Sequence, residues 1–240
     1  MTRPALLRLA TRGSTLALAQ TRIAAAALAG IGIESEVVVV RTTGDTRQDV
    51  PISAMEGQGW FTAELERAVL EGRADLAVHS AKDLPTQLAP GLSEAAYLPR
   101  ADPRDAVAAA APLEALPAGS RVGTSSARRI ALLAELHPGL RPLEIRGNVD
   151  TRLRKLERGE IDALLLASAG LDRIDAGDRL VERLDPERFV PAPAQGVIAL
   201  EVSSDGPAAE VVAELDDPIT RTAVRAERAL LAQLGGGCLL

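Results

Sequence analysis

The apolar positions of this chain fall into short runs separated by longer amphipathic stretches, the alternation expected of buried strands and packed helices. Leu6 to Ala10 reads as a first strand, and the Ala- and Leu-rich stretch from about Thr15 to Ala29 as a helix that Gly30 and Gly32 end. The β-branched run Val37 to Val40, within Glu36 to Arg41, is a second strand. A helix from about Thr62 to Glu71 leads into Leu76 to Val78, a buried strand that must stop before Pro85, which has no N–H for a sheet ladder. Leu98 to Arg104 reads as a crossover into a second unit. There Arg121 to Gly123 is a strand end, Ala127 to Leu136 a helix that Pro138-Gly139 stops, and Leu143 to Ile145 a strand. Val149 to about Arg158 follows as a helix and Asp162 to Ala167 as a buried strand. The proline-rich stretch Phe189 to Gly196 is the return crossover, and Val197 to Val202 a strand placed back in the first sheet. Helices over about Ala208 to Leu215 and Ile219 to Leu234 close the pattern. Strand–helix alternation predicts largely parallel sheets with helices on their faces. Two crossovers predict two hinged lobes: 1–99 with 197–216, and 104–192, followed by an extension over 217–240.

Composition narrows the class. With 240 residues, 47% hydrophobic and 25% charged, the chain can bury two cores, and 2% aromatics means that Ala, Leu, Val and Ile must fill them. No apolar run approaches the roughly 20 residues of a membrane span, and Arg8 interrupts the N-terminal apolar stretch before a signal-like core forms. A soluble cytoplasmic protein with no membrane partner is the expectation. A single cysteine, Cys238, excludes an internal disulfide and a thiolate-rich metal site, and His79 and His137 do not share a ligand spacing, so no metal is expected. The net charge of −6 argues against nonspecific nucleic-acid binding. The charge is uneven, however: Gly119 to Arg158 holds nine basic and four acidic side chains. A basic focus in an acidic chain suits an anionic small ligand.

Candidate chemistry clusters where predicted strands pass into helices or turns. Lys82-Asp83 lies just past the carboxyl end of a strand, the edge at which open α/β sheets bind ligands. Thr124-Ser125-Ser126-Ala127-Arg128-Arg129 brings hydroxyls, helix-start N–H groups and two guanidiniums together, and Arg146-Gly147-Asn148-Val149-Asp150-Thr151-Arg152 repeats the device one unit later. Arg12 and Ser14 do the same in the first unit. Several such junctions imply a ligand with several carboxylates or phosphates. Cys238, after Gly235-Gly236-Gly237, is a thiol on a glycine tether suited to covalent attachment. The bland reading of each feature alone is solvated surface charge and an inert thiol.

Six motifs in order, Thr11 to Leu18, Val78 to Thr86, Gly123 to Arg129, Arg146 to Arg152, Pro193 to Gly196 and Leu234 to Cys238, resemble the porphobilinogen deaminase (hydroxymethylbilane synthase) family over essentially the whole chain. The resemblance implies lobes of the type II periplasmic-binding-like fold, with 217–240 as what is left of a third domain that the family continues past the cysteine. It implies a monomeric transferase of tetrapyrrole biosynthesis that joins porphobilinogen units head to tail into a linear tetrapyrrole, releasing ammonia at each step. A dipyrromethane cofactor would be thioether-linked to Cys238. Asp83 would stabilise positive charge at pyrrole nitrogens. Lys82, Thr124, Ser126, Arg128, Arg129 and Arg146 match family positions that hold the cofactor, and Arg12, Ser14, Arg152 and Gln195 positions that hold substrate. Gln58 and Ala63 stand where the family carries lysines, and Ala194 where it has glycine. The alternative from another class is a two-lobed binding protein for a polycarboxylate that performs no chemistry.

Overall fold

A computed structural model describes residues 3–46 and 61–235 of the chain. They form two units, one from residues 3–46, 61–101 and 197–235, the other from residues 102–196. Unit 1 contains β1 (Leu6–Thr11), α1 (Thr15–Gly30), β2 (Glu34–Val39), α2 (Thr43–Thr46), α3 (Ala63–Leu70), β3 (Leu76–Ser80) and β4 (Leu92–Tyr97). Unit 2 holds β5 (Asp105–Ala109), β6 (Arg121–Gly123), α4 (Ala127–Leu136), β7 (Arg141–Leu143), α5 (Val149–Glu157), β8 (Ala163–Ala167), α6 (Ser168–Asp172) and β9 (Glu182–Arg183). The chain then returns to unit 1 with β10 (Ile198–Ser203), α7 (Ala208–Ala213) and α8 (Pro218–Gln233).

Each unit is built on a five-stranded sheet, ordered β2-β1-β3-β10-β4 in unit 1 and β7-β6-β8-β5-β9 in unit 2. The sheets are mixed. In unit 1, β10 runs antiparallel to both β3 and β4; in unit 2, β5 runs antiparallel to both β8 and β9. The reversed strand in each case is the first to follow a crossover. A chain arriving from the other unit enters the sheet without the helical βαβ connection that imposes parallel pairing. The strands that carry the motifs, β1 with β3 and β6 with β7 and β8, are parallel as expected.

Alternation along the strands sorts the core of unit 1 into two layers. Leu7 and Leu9 of β1, Leu76 and Val78 of β3, and Leu200 and Val202 of β10 face Ala24 and Leu28 of α1 and Val211 and Val212 of α7. On the other face the small Ala10 and Ala77 let α3 approach with Leu65, Ala68 and Val69. Unit 2 repeats the scheme: Val122, Ala163 and Leu165 pack with Leu133 of α4, and Leu164 and Leu166 with Leu153 of α5 and Leu171 of α6. Truncating any of these fully buried leucines to alanine costs about 2–5 kcal/mol.

The same ion-pair device sets the strand register in both units. Asp75, just before β3, accepts from the backbone N–H of Arg8 on β1 at 2.7 Å and from its guanidinium at 2.9 and 3.1 Å. Asp162, just before β8, accepts from the backbone N–H of Arg121 on β6 at 2.7 Å and from its guanidinium at 2.8 and 3.0 Å. The segment beginning at residue 217 is anchored to unit 1. Asp217 caps α8 by accepting from the N–H of Thr220, Pro218 stands in its first turn, and Arg100 forms an ion pair with Glu227.

Candidate functional site

In unit 1 the carboxyl ends of the neighbouring parallel strands β1 and β3 lie side by side. Beyond β1, Ser14 caps α1 by accepting from the N–H of Ala17 at 3.2 Å, and the guanidinium of Arg12 stacks over Phe61, 4.3 Å from the ring centroid. Beyond β3 the chain makes one 3-10 turn, Ala81–Asp83. Neighbouring elements hold this turn. Gln20 of α1 donates to the Ser80 hydroxyl at 2.8 Å, and the Ala81 N–H donates to the Val197 carbonyl at 3.0 Å. Beneath it, His79 and Glu201 form a buried pair at 3.1 Å, so His79 is a core residue. The carboxylate of Asp83 is half-buried, and no described residue donates a hydrogen bond to it. A carboxylate on a fixed turn with its lone pairs uncommitted is available to a ligand that carries N–H groups or positive charge.

In unit 2, three parallel strands again end at one edge. The loop after β6 is locked: the Thr124 N–H donates to the Leu143 carbonyl at 2.9 Å, the buried Thr124 hydroxyl accepts from the Ser126 N–H at 3.2 Å, and the Ser125 hydroxyl bonds the Ile145 carbonyl. Ser126 caps α4 by accepting from the N–H of Arg129. The glycines have specific causes. A Cβ at Gly123 would lie 2.7 Å from Ile161 Cδ1, and Gly147, at φ +107°, would put a Cβ 2.8 Å from Thr151 Cγ2. Arg146 is half-buried at the start of the α5 loop, and Arg152 Nε donates to the Gly147 carbonyl at 2.7 Å. Two helix starts therefore sit beside arginines, an arrangement suited to an anion.

Behind that edge is a residue the sequence analysis did not single out. Asp105, fully buried at the head of β5, forms ion pairs at 2.7 Å with both Arg128 and Arg129 and accepts from Gln195 Nε2 at 2.9 Å. Burial pushes its carboxyl up, but the two guanidiniums and the hydrogen bonds from Arg129 and Gln195 outweigh burial and hold it below the ordinary range. Arg129, expected among the carboxylate-holding residues, is turned inward: its remaining fork donates to the Leu165 carbonyl at 3.0 Å. Gln195 is also fully buried, with a second bond to the Pro103 carbonyl. Arg128 keeps 15% of its side chain exposed. Ala194 adopts φ 59°, the left-handed region that glycine occupies without strain. Arg173, also missed, donates to the Gly196 carbonyl at 2.6 Å, and burial lowers its guanidinium to about 10. The one local cue for Asp105 was a charged residue opening an apolar run. Ala63 begins α3, while Gln58 and Cys238 lie outside the described residues. Among the described residues no group of acidic, His or Cys side chains could hold a metal, and no helix is long and apolar enough to cross a membrane.

These features define a class: two mixed α/β units of the periplasmic-binding-like fold, each presenting polar, charge-bearing strand ends. Solved structures agree on the fold. The methionine-binding protein MetQ aligns at a TM-score of 0.55 and 13% identity over 98% of this chain and 97% of that one, and a periplasmic substrate-binding protein from Coxiella burnetii at 0.52 and 11% over 92% and 96%. The family model "Porphobilinogen deaminase, dipyromethane cofactor binding domain" matches residues 7–210. The chain is 49% identical to the porphobilinogen deaminase of Acidothermus cellulolyticus over 97% of its own length and 72% of the relative's. It is 48% identical to that of Roseiflexus castenholzii over 97% and 78%, and 48% identical to the probable porphobilinogen deaminase of Methanocella arvoryzae over 98% and 78%. The chain belongs to the porphobilinogen deaminase family.

Proposed function

We propose that this chain condenses porphobilinogen head to tail into a linear tetrapyrrole, with Asp83 as its catalytic carboxylate. In each step the aminomethyl carbon of porphobilinogen loses ammonia and bonds to the free α-carbon of an acceptor pyrrole, which gives up its proton. Positive charge builds on a ring nitrogen as ammonia departs. A carboxylate fixed against that N–H stabilises the transition state more than the ground state. The observation that carries this reading is that Asp83 sits on a turn anchored by α1 and by the residue that leads into β10, while no described residue donates to it.

The chemistry of the donor set fits a dipyrromethane cofactor, whose acetate and propionate groups need cations and N–H donors. Lys82 in unit 1, and Ser126, Arg128 and Arg146 in unit 2, are half-buried at strand ends and would hold those carboxylates, with Thr124 shaping the loop. When bound, the cofactor supplies the acceptor pyrrole. Arg12, Ser14 and Arg152 would hold substrate carboxylates. Arg129 and Gln195 would act through Asp105, as supports. Cys238 is the proposed point of thioether attachment, and the working form is a cytoplasmic monomer.

The test is turnover of porphobilinogen by the whole chain and by Asp83→Asn. Removing one preorganised electrostatic group lowers kcat on the order of 10²–10³-fold, with the melting curve unchanged. Full activity in Asp83→Asn refutes its role. Intact mass before and after Cys238→Ser reads the attachment: an adduct absent from both proteins counts against it.

A further inference from the structure

The turn that carries Lys82 and Asp83 is closed from outside the sheet by an arginine eleven positions into the last helix. Arg228 of α8 points its guanidinium into the backbone of that turn. Nη2 donates to the Pro85 carbonyl at 2.6 Å, and Nη1 donates to the Leu84 carbonyl at 3.2 Å and the Ala81 carbonyl at 3.5 Å. These three carbonyls bracket Lys82-Asp83. The same Nη2 lies 3.2 Å from Glu94 Oε1 of β4, which supplies the countercharge, and only 12% of the Arg228 side chain is exposed.

We propose that Arg228 is a positioning residue that sets the orientation of Asp83, an inference that rests on the catalytic reading of that aspartate. Pro85 has no N–H, so the 3-10 turn cannot run on into a ladder that would fix it. Within the turn, the Leu84 N–H reaches the Ala81 carbonyl only at 3.3 Å. The Leu84 and Pro85 carbonyls, on residues that are themselves buried, have lost water and take the guanidinium instead. One planar fork spans both carbonyls and the Glu94 carboxylate at once. An ammonium is a point charge and cannot reach the same set of acceptors. Arg228 touches no reacting atom. Its effect is to hold the peptide planes on either side of Asp83, and a displacement of about 1 Å at a catalytic group costs on the order of 10²-fold.

Arg228→Gln and Arg228→Lys separate this role from a structural one. In both, the melting transition falls modestly, because buried carbonyls and Glu94 lose part of their partner, but the cofactor mass stays that of the parent, KM for porphobilinogen holds, and kcat falls on the order of 10–10²-fold in Gln and less in Lys. Hydrogen exchange read on the 81–86 segment speeds up in both variants while the sheets stay protected, a readout that needs no turnover. Parental kcat with unchanged exchange at 81–86 overturns the proposal. So does a loss in which kcat, cofactor mass and melting temperature decline together. If Arg228→Gln does not fold, Arg228→Lys decides. A parent protein that does not turn over porphobilinogen, or an active Asp83→Asn, sinks the catalytic reading instead; exchange at 81–86 still reports whether Arg228 holds the turn.

Discussion

Replacing Asp105 by alanine tests how the guanidinium-bearing edge of unit 2 is supported. The native carboxylate is fully buried and meets Arg128 at 2.7 Å, Arg129 at 2.7 and 3.1 Å, and Gln195 at 2.9 Å. Alanine leaves the buried Arg129 charge without its partner, and removing one member of a buried pair costs about 3–5 kcal/mol. That is a large share of a typical total of about 5–15 kcal/mol. Urea unfolding at pH 7 measures the loss. A double-mutant cycle with Arg129→Met assigns the Arg129 share, because the double variant strands only Arg128, whose side chain keeps 15% of its surface exposed. The expected coupling exceeds about 1 kcal/mol and favours the double variant. Acid adds a sign. Because the folded carboxyl lies below its ordinary range, its contribution is present above that range and fades as pH falls through the lowered value. Asp105→Ala therefore lacks part of the parent's acid-induced loss. A single-variant cost under about 1 kcal/mol, or additivity within about 0.5 kcal/mol, refutes the reasoning and returns Arg129 to the ligand-facing set.

Two further outcomes follow. Asp162 is held at about 2, chiefly by the hydrogen bond from the Arg121 guanidinium and then by that from its backbone N–H. Its stabilising effect is complete above the ordinary 3.8 and is lost between there and about 2. Acid titration of stability should show a shallower loss in Asp162→Asn, and an unchanged acid limb contradicts this. Gly147→Ala combines a left-handed φ with a 2.8 Å contact to Thr151. Chemical denaturation should show a cost of about 1–3 kcal/mol, and a neutral result would mean that the α5 loop rearranges freely.

What the sequence revealed was local. The motif-bearing strand ends, the helix starts after Ser14 and Ser126 and the end of the strand before Pro85 each depend on a few adjacent residues, and each appears near its expected place. β2 starts two residues earlier than the expected Glu36, because the pairing of Glu34 with Leu6 sets the register. β4 and β5 escaped notice. Leu92–Tyr97 and Asp105–Ala109 are rich in alanine, which has little strand preference of its own, and only their neighbours β10 and β8 make them strands. The same limit applies to the site. Asp105 and Arg129 are 24 positions apart, and Arg228 and Pro85 are 143 apart. No periodicity signals either contact, so arginines that a motif groups together divide, in space, into those that face the edge and those that support it.

The reversed strand β10 also orders events during synthesis. It lies between β3 and β4, so when the ribosome has made only the first hundred residues, β4 has no neighbour to pair with. Among the described residues, unit 2 is drawn from one uninterrupted stretch, 102–196, which can close while its partner is still waiting for a strand encoded almost a hundred codons later. The earlier-made half of this enzyme is thus the later to be completed, and its exposed sheet edges are what a nascent-chain chaperone would meet.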